Sequence, residues 1–194
     1  MYKRDQYEIQ RACEADSKYT KEAMLFVIDS IQQRFHLLPI VTEKRRSLGI
    51  KSPYLNNNTK RLGCECIWAN YKQLHKDIFD PDLSLAEKIL SVSSIPGIGI
   101  VKAGFVLQLC IGKVGCLDTH NLRMFGFSDS AFKFSKNTTR NTALAKARLY
   151  IETCEKLGGS EFLWDNWCEF IASKYPKHFT SADQVSQMHV DLIV

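Results

Sequence analysis

The sequence predicts an all-α fold, and three observations carry the prediction. Apolar residues recur at intervals of three and four in one segment after another. No segment of strand length alternates strictly between apolar and polar residues with hairpin turns between. Helix-breaking groups, among them Asp80-Pro81-Asp82, Gly158-Gly159 and Pro176, divide the periodic segments. With 194 residues, 45% of them apolar, and no internal repeat, the chain suffices for one substantial core or two small lobes sharing an interface.

In chain order, residues 1 to about 20 carry mixed charge with Tyr2, Tyr7, Ile9 and Ala12 at helix-like intervals. Thr20 reads as the N-cap of a helix from Lys21 to Leu38, which buries Ala23, Met24, Phe26, Val27, Ile28, Ile31 and Phe35 and is stopped by Pro39. Gln32 and Gln33 near its end read as surface residues, with probing of a nucleic-acid groove as the alternative. Ile40 to Asn58 has too few periodic apolar residues for a helix throughout. It reads as a loop-bearing region whose Lys44, Arg45, Arg46 and Lys51 form either a solvated face or a contact for phosphates.

Thr59 to Ile78 is helical again, and Ser84 with Glu87 forms a capping box that starts Leu85 to Ser93. Ile100 to Ile111 has only Lys102 and Gln108 as clearly polar residues, so it belongs at the centre of the domain. Thr138 to Leu157 is a further helix. Ser160 opens an aromatic helix with Phe162, Trp164, Trp167, Phe170 and Tyr175, which reads as core rather than as a platform for stacking bases. Val185, Met188 and Leu192 are spaced for a last helix.

A formal charge of +5 and a pI near 8.8 permit an anionic partner without requiring one. No signal-peptide core and no run of about eighteen apolar residues occur, so the expectation is an intracellular, cytoplasmic protein without membrane contact. Seven scattered cysteines are expected as reduced thiols. Cys64-Glu65-Cys66 lacks a second pair at zinc-finger spacing, so no metal site is expected there.

The stretch Ile95 to Arg123 carries the chemistry. Pro96-Gly97-Ile98-Gly99 is a turn whose glycines permit positive φ and close approach to another molecule. Joined to a helix on each side it makes a helix-hairpin-helix, in which free N–H groups and a helix dipole seat a backbone phosphate without reading sequence. The same turn also serves simply to connect helices. Seventeen residues beyond Val101 comes Asp118, in Leu117-Asp118-Thr119-His120-Asn121-Leu122-Arg123. On its own it would read as the N-cap of the next helix.

Together these half-motifs resemble the helix-hairpin-helix DNA glycosylase superfamily, the endonuclease III-like enzymes. Their motif runs L-P-G-V-G-x-K-T-A and then, a short distance later, V-D-T-H. The matching positions are Ile95, Pro96, Gly97, Ile98, Gly99, Ala103, Leu117, Asp118, Thr119 and His120. The resemblance implies two helical lobes flanking a cleft: about 21–126 with the hairpin, and 1–20 with 127–194. It implies a monomer that binds double-stranded DNA in a bacterial or virus-infected cell, flips a damaged, mispaired or modified base and hydrolyses its N-glycosidic bond. Pro96, Gly97, Ile98, Gly99, His120 and Arg123 would hold the DNA. Asp118 would stabilise the oxocarbenium character that develops on the sugar.

The family lysine that attacks the sugar and gives AP-lyase activity aligns with Val101, so Lys102 stands one residue, about 100° of helix, away. Two roles remain open for Lys102: a partly desolvated nucleophile, or a first-turn side chain that snorkels to a phosphate. Many members carry a four-cysteine iron–sulfur cluster after the domain, and no such array follows here. No cofactor is expected, a monovalent cation at the hairpin turn excepted. Two other readings stand beside base excision: an inactive DNA-binding module of the same fold, and an enzyme that modifies thymine-derived bases in viral DNA.

Overall fold

Ten α-helices and three short 3-10 turns build the fold, and no strand occurs among the described residues, 2–128, 130–135 and 137–194 of this computed structural model. In order the helices are α1 (Tyr2–Ala15), α2 (Ser17–Asp29), α3 (Leu38–Leu48), α4 (Asn58–Phe79), α5 (Leu85–Ser93), α6 (Ile100–Ile111), α7 (Thr119–Met124), α8 (Arg140–Lys156), α9 (Gly159–Lys174) and α10 (Ala182–Ile193). Among the described residues, no helix is long and apolar enough to cross a membrane.

Helix α6 is the hub. Nine of its twelve residues are buried, against α1, α2, α4, α5 and α8, as its almost wholly apolar sequence requires. Its buried amide, Gln108, donates to Ser160 O at 2.7 Å, and the Gln108 carbonyl receives the Gln6 amide at 3.4 Å. One satisfied polar cluster therefore ties α1, α6 and α9 together inside the core.

The first third of the chain departs from the sequence reading. Helix α2 begins at Ser17 because Asp16 is its cap, accepting from the Lys18 N–H at 2.8 Å. Thr20, expected to be that cap, is buried within α2, where its hydroxyl donates to Cys13 O at 3.3 Å. The helix also ends at Asp29 rather than Leu38. Pro39 does not stop it but lies in the first turn of α3, where a missing N–H leaves no bond unmade. Most of the expected loop region is consequently helical, with α3 followed by 3-10 turns at Gly49–Lys51 and Pro53–Leu55.

Two of the four basic residues of that region, Arg45 and Arg46, are structural, while Lys44 and Lys51 are exposed. Arg45 points inward, donating from Nε to Asp29 Oδ2 at 2.8 Å and from Nη2 to Glu22 Oε2 at 3.2 Å. Burial opposes the guanidinium charge, but Asp29 and Glu22 outweigh it and raise the Arg45 pKa. Arg46 donates to Glu22 and to Leu192 O, joining α3 to α2 and α10. The periodicity missed this helix because its inward face is partly ionic.

Helix α5 starts on its expected signal, the reciprocal capping box of Ser84 and Glu87, while Asn57 caps α4 and Thr139 caps α8. All seven cysteines are free thiols. Cys64 is buried on α4, and burial pushes its thiol up to about 12, which fits a packing role.

Candidate active site

The hairpin joins α5 to α6 and is seated on α4. Gly97 has φ +87°, and a Cβ there would lie 3.0 Å from Thr59 Cγ2. Gly63 on α4 allows the seating, since a Cβ on it would come within 2.5 Å of Pro96 O. Gly99 corrects the sequence reading: its φ of −93° and ψ of −175° are extended, so only one of the two glycines needs the left-handed region. A Cβ on Gly99 would meet nothing within 4 Å, and the exposed backbone there is open to close approach. Ile98 turns its side chain into the core and donates its N–H to Ile95 O at 3.0 Å. The N–H groups of Ile100, Val101 and Lys102 open α6 without a side-chain cap and find no acceptor among the described residues. The turn thus presents free donors and the positive end of a helix dipole.

Asp118 is the N-cap of α7, as its sequence context alone suggests, and it is also more than that. Its Oδ1 accepts from the His120 and Asn121 N–H groups, both at 3.0 Å. Its Oδ2 accepts from the indole Nε1 of Trp167, on α9, at 3.0 Å. The preceding backbone is fixed as well: the Tyr150 hydroxyl donates to Gly115 O at 2.7 Å and accepts from the Leu117 N–H at 3.0 Å, while Asn121 Nδ2 donates to Cys116 O at 2.7 Å. Both carboxylate oxygens are held, and the half-buried group lines two adjoining cavities.

The inner cavity, about 350 Å³, is walled by Phe26, Phe35, Phe105, Trp167, Phe170 and Tyr175. The outer one, about 670 Å³, runs from Gly99 and Val101 of the hairpin helix past Gln32 to Phe132, Lys133 and Phe134. Ser30, Lys102, Asp118 and Thr119 line both, so this group stands where the two meet. Lys102 is half-buried there, its Nζ donating to Ser30 Oγ at 3.3 Å and lying 5.7 Å from the Phe105 ring centroid. Ser30 accepts this bond while donating its own proton to Val27 O at 2.7 Å. Val101 lines the outer groove and not the inner cavity. Of the two neighbours, Lys102 is the one that shares the inner cavity with Asp118.

His120 and Arg123 line the inner cavity too, with Arg123 exposed at its edge. The His120 ring stacks on Phe170, centroids 3.3 Å apart and planes 10° from parallel. The structure therefore gathers Lys102, Asp118, His120 and Arg123 around one cavity, and keeps Pro96, Gly97 and Ile98 apart from it on the hairpin.

Three site residues, Ser30, Trp167 and Phe170, escaped the sequence reading. Ser30 is at the end of α2, where a continuous helix was expected. Gln33 lines the inner cavity, and Gln32, at φ +54° and exposed, lines the outer groove. Trp167 and Phe170 came from the aromatic stripe assigned to core, yet both are half-buried on the cavity wall. The excess of aromatic residues on one helix was the only signal, and core packing explains such an excess equally well. Behind them His189 is fully buried among Phe26, Phe35, Phe105, Trp164 and Trp167. Burial lowers its pKa to about 4, so the ring is neutral and donates from Nδ1 to Val185 O at 2.8 Å.

Compared with family models, with curated proteins and with solved structures, the chain finds no match.

Proposed function

We propose that the protein is a DNA glycosylase of the helix-hairpin-helix kind, which binds double-stranded DNA, flips one base and breaks its N-glycosidic bond. The observation that carries the reading is the meeting of Lys102 and Asp118 at the junction of an aromatic cavity and a groove that starts at the hairpin. Flipping is required because the bond is inaccessible inside the stack, and a flipped base needs an apolar, aromatic receptacle beside a polar reaction centre. The phosphates would meet the free N–H groups of α6 and the cations Lys133 and Arg123.

Departure of the base leaves positive charge on the sugar, which the fixed Asp118 carboxylate stabilises. The bonding pair leaves with the base while a nucleophile bonds to C1′. The position of Lys102 beside Asp118 on both cavities supports that role for it, and its amine, after proton loss and ring opening, would be left as the iminium from which strand cleavage follows. The residues of α2, α6 and α7 on one wall and of α9 on the other support a cleft between two lobes. All of them come from one chain, which suits a monomer.

The test is a panel of duplexes bearing damaged, mispaired and modified bases, scored for base release before and after alkali. Base release with strand nicks before alkali treatment, and a protein–DNA iminium that borohydride reduces to a stable covalent adduct, are the expected results. Abasic-site binding without release from any duplex would favour the inactive DNA-binding module. A mass change in nucleosides without abasic sites would favour base modification.

A further inference from the structure

We propose that Trp167 is a positioning residue for Asp118, acting through its indole N–H on Oδ2; the inference rests on the glycosylase reading and extends it to a residue on another helix. The two backbone donors of α7 hold Oδ1 alone, which is all that an N-cap requires. A carboxylate gripped at one oxygen can still rock about its terminal torsion, which is broad. The third donor, at 3.0 Å and arriving from α9, fixes the plane of the group.

An indole N–H within a protein needs some acceptor, and Trp164 on the same helix shows how a structural one is satisfied: it donates to the neutral Ser186 hydroxyl at 3.2 Å. Trp167 differs in both respects that matter. It is half-buried at a cavity, where water would serve, and its acceptor is a charged group at the reaction centre. The ring is locked for the purpose, edge-on to Phe35 at 4.7 Å and 82°, and against His189 at 5.4 Å and 68°. Its neutrality is equally significant. A lysine or arginine in this place would pair with Asp118 and cancel the charge needed beside a cationic sugar. A neutral donor orients the carboxylate and leaves its charge in place.

The experiment replaces Trp167 with benzothienylalanine, in which sulfur takes the place of the N–H at nearly unchanged shape, and measures single-turnover base release on whichever panel duplex the wild type processes. Trp167→Phe is run beside it, and 5-fluorotryptophan, which keeps the N–H, is the control. The expected result is a fall of roughly ten- to a hundredfold in the rate at saturating enzyme, with DNA affinity and melting temperature unchanged and the fluorinated protein at wild-type rate. In parallel, the Trp167 indole proton resonance should move in Asp118→Asn while those of Trp68 and Trp164 stay. A wild-type rate in the sulfur isostere, with Asp118→Asn inactive, overturns the positioning role and leaves the glycosylase reading intact. Loss of DNA affinity or of melting temperature in step with the rate also overturns it, because the ring would then be merely structural. Base release by Asp118→Asn, or no release by the wild type from any duplex, overturns the parent reading and this inference with it.

Discussion

Asp118 meets two demands with the same atoms: it caps α7 through Oδ1 and keeps a charged, oriented carboxylate on the cavity wall. Lys102 meets a different one, since its hydrogen bond to Ser30 anchors a long side chain that would otherwise sample many rotamers. Replacement of Lys102 by Ala should abolish borohydride trapping on abasic DNA. Ser30→Ala should weaken trapping less, because the amine is retained and only its anchor is lost. His189 sets a pH limit at the same scale. Its pKa falls from the ordinary 6.5 to about 4 in the fold, so the unfolded chain takes up a proton that the folded chain refuses. Stability from this group is fully present above pH 6.5 and is lost as pH falls toward 4, a difference of roughly 3 kcal/mol at ~1.4 kcal/mol for each pH unit. Melting temperatures across that window should drop for the wild type and show a flatter dependence for His189→Gln.

At the scale of elements, two junctions fix the site. The hairpin rests on α4 through Gly63, and a methyl group there would force Pro96 O or Ile28 to move. Gly63→Ala is expected to cost roughly 1–3 kcal/mol by overpacking and to weaken binding to any duplex, measured by denaturation and anisotropy. The α2–α3 junction rests on Arg45. Arg45→Met leaves Asp29 buried without its main partner and is expected to cost about 3–5 kcal/mol, whereas Lys44→Met, on the exposed face of the same helix, should change little. These junctions also show why some elements were legible in the sequence and others were not. Helix α5 announces itself by its capping box, and α6 and α8 by their apolar residues. Helix α3 does not, because a buried Arg–Asp pair replaces part of its apolar stripe and because proline ends one helix and begins another with equal ease.

Across the whole molecule, the all-α class follows from periodicity, the central place of α6 from its almost wholly apolar sequence, and Asp118 as a helix cap from its residue type at the start of a helix. The cavity does not, because it is assembled from α2, the segment after it, α6, α7 and α9, and helical spacing cannot say which side of an aromatic helix faces a void. Trp167 is the clearest case, separated from Asp118 by 49 residues and joined to it only by the fold. The start of α6, the groove and the cavity adjoin one another from backbone donors to a carboxylate, which in the proposed function is the order in which a duplex is gripped, opened and cut. Single-turnover base release by wild type and Asp118→Asn, with duplex affinity measured on the same samples, puts this to the test. The variant should bind DNA as the wild type does and release base at least roughly a hundredfold more slowly. Turnover retained at the wild-type rate would contradict the assignment of Asp118 and the proposed function with it.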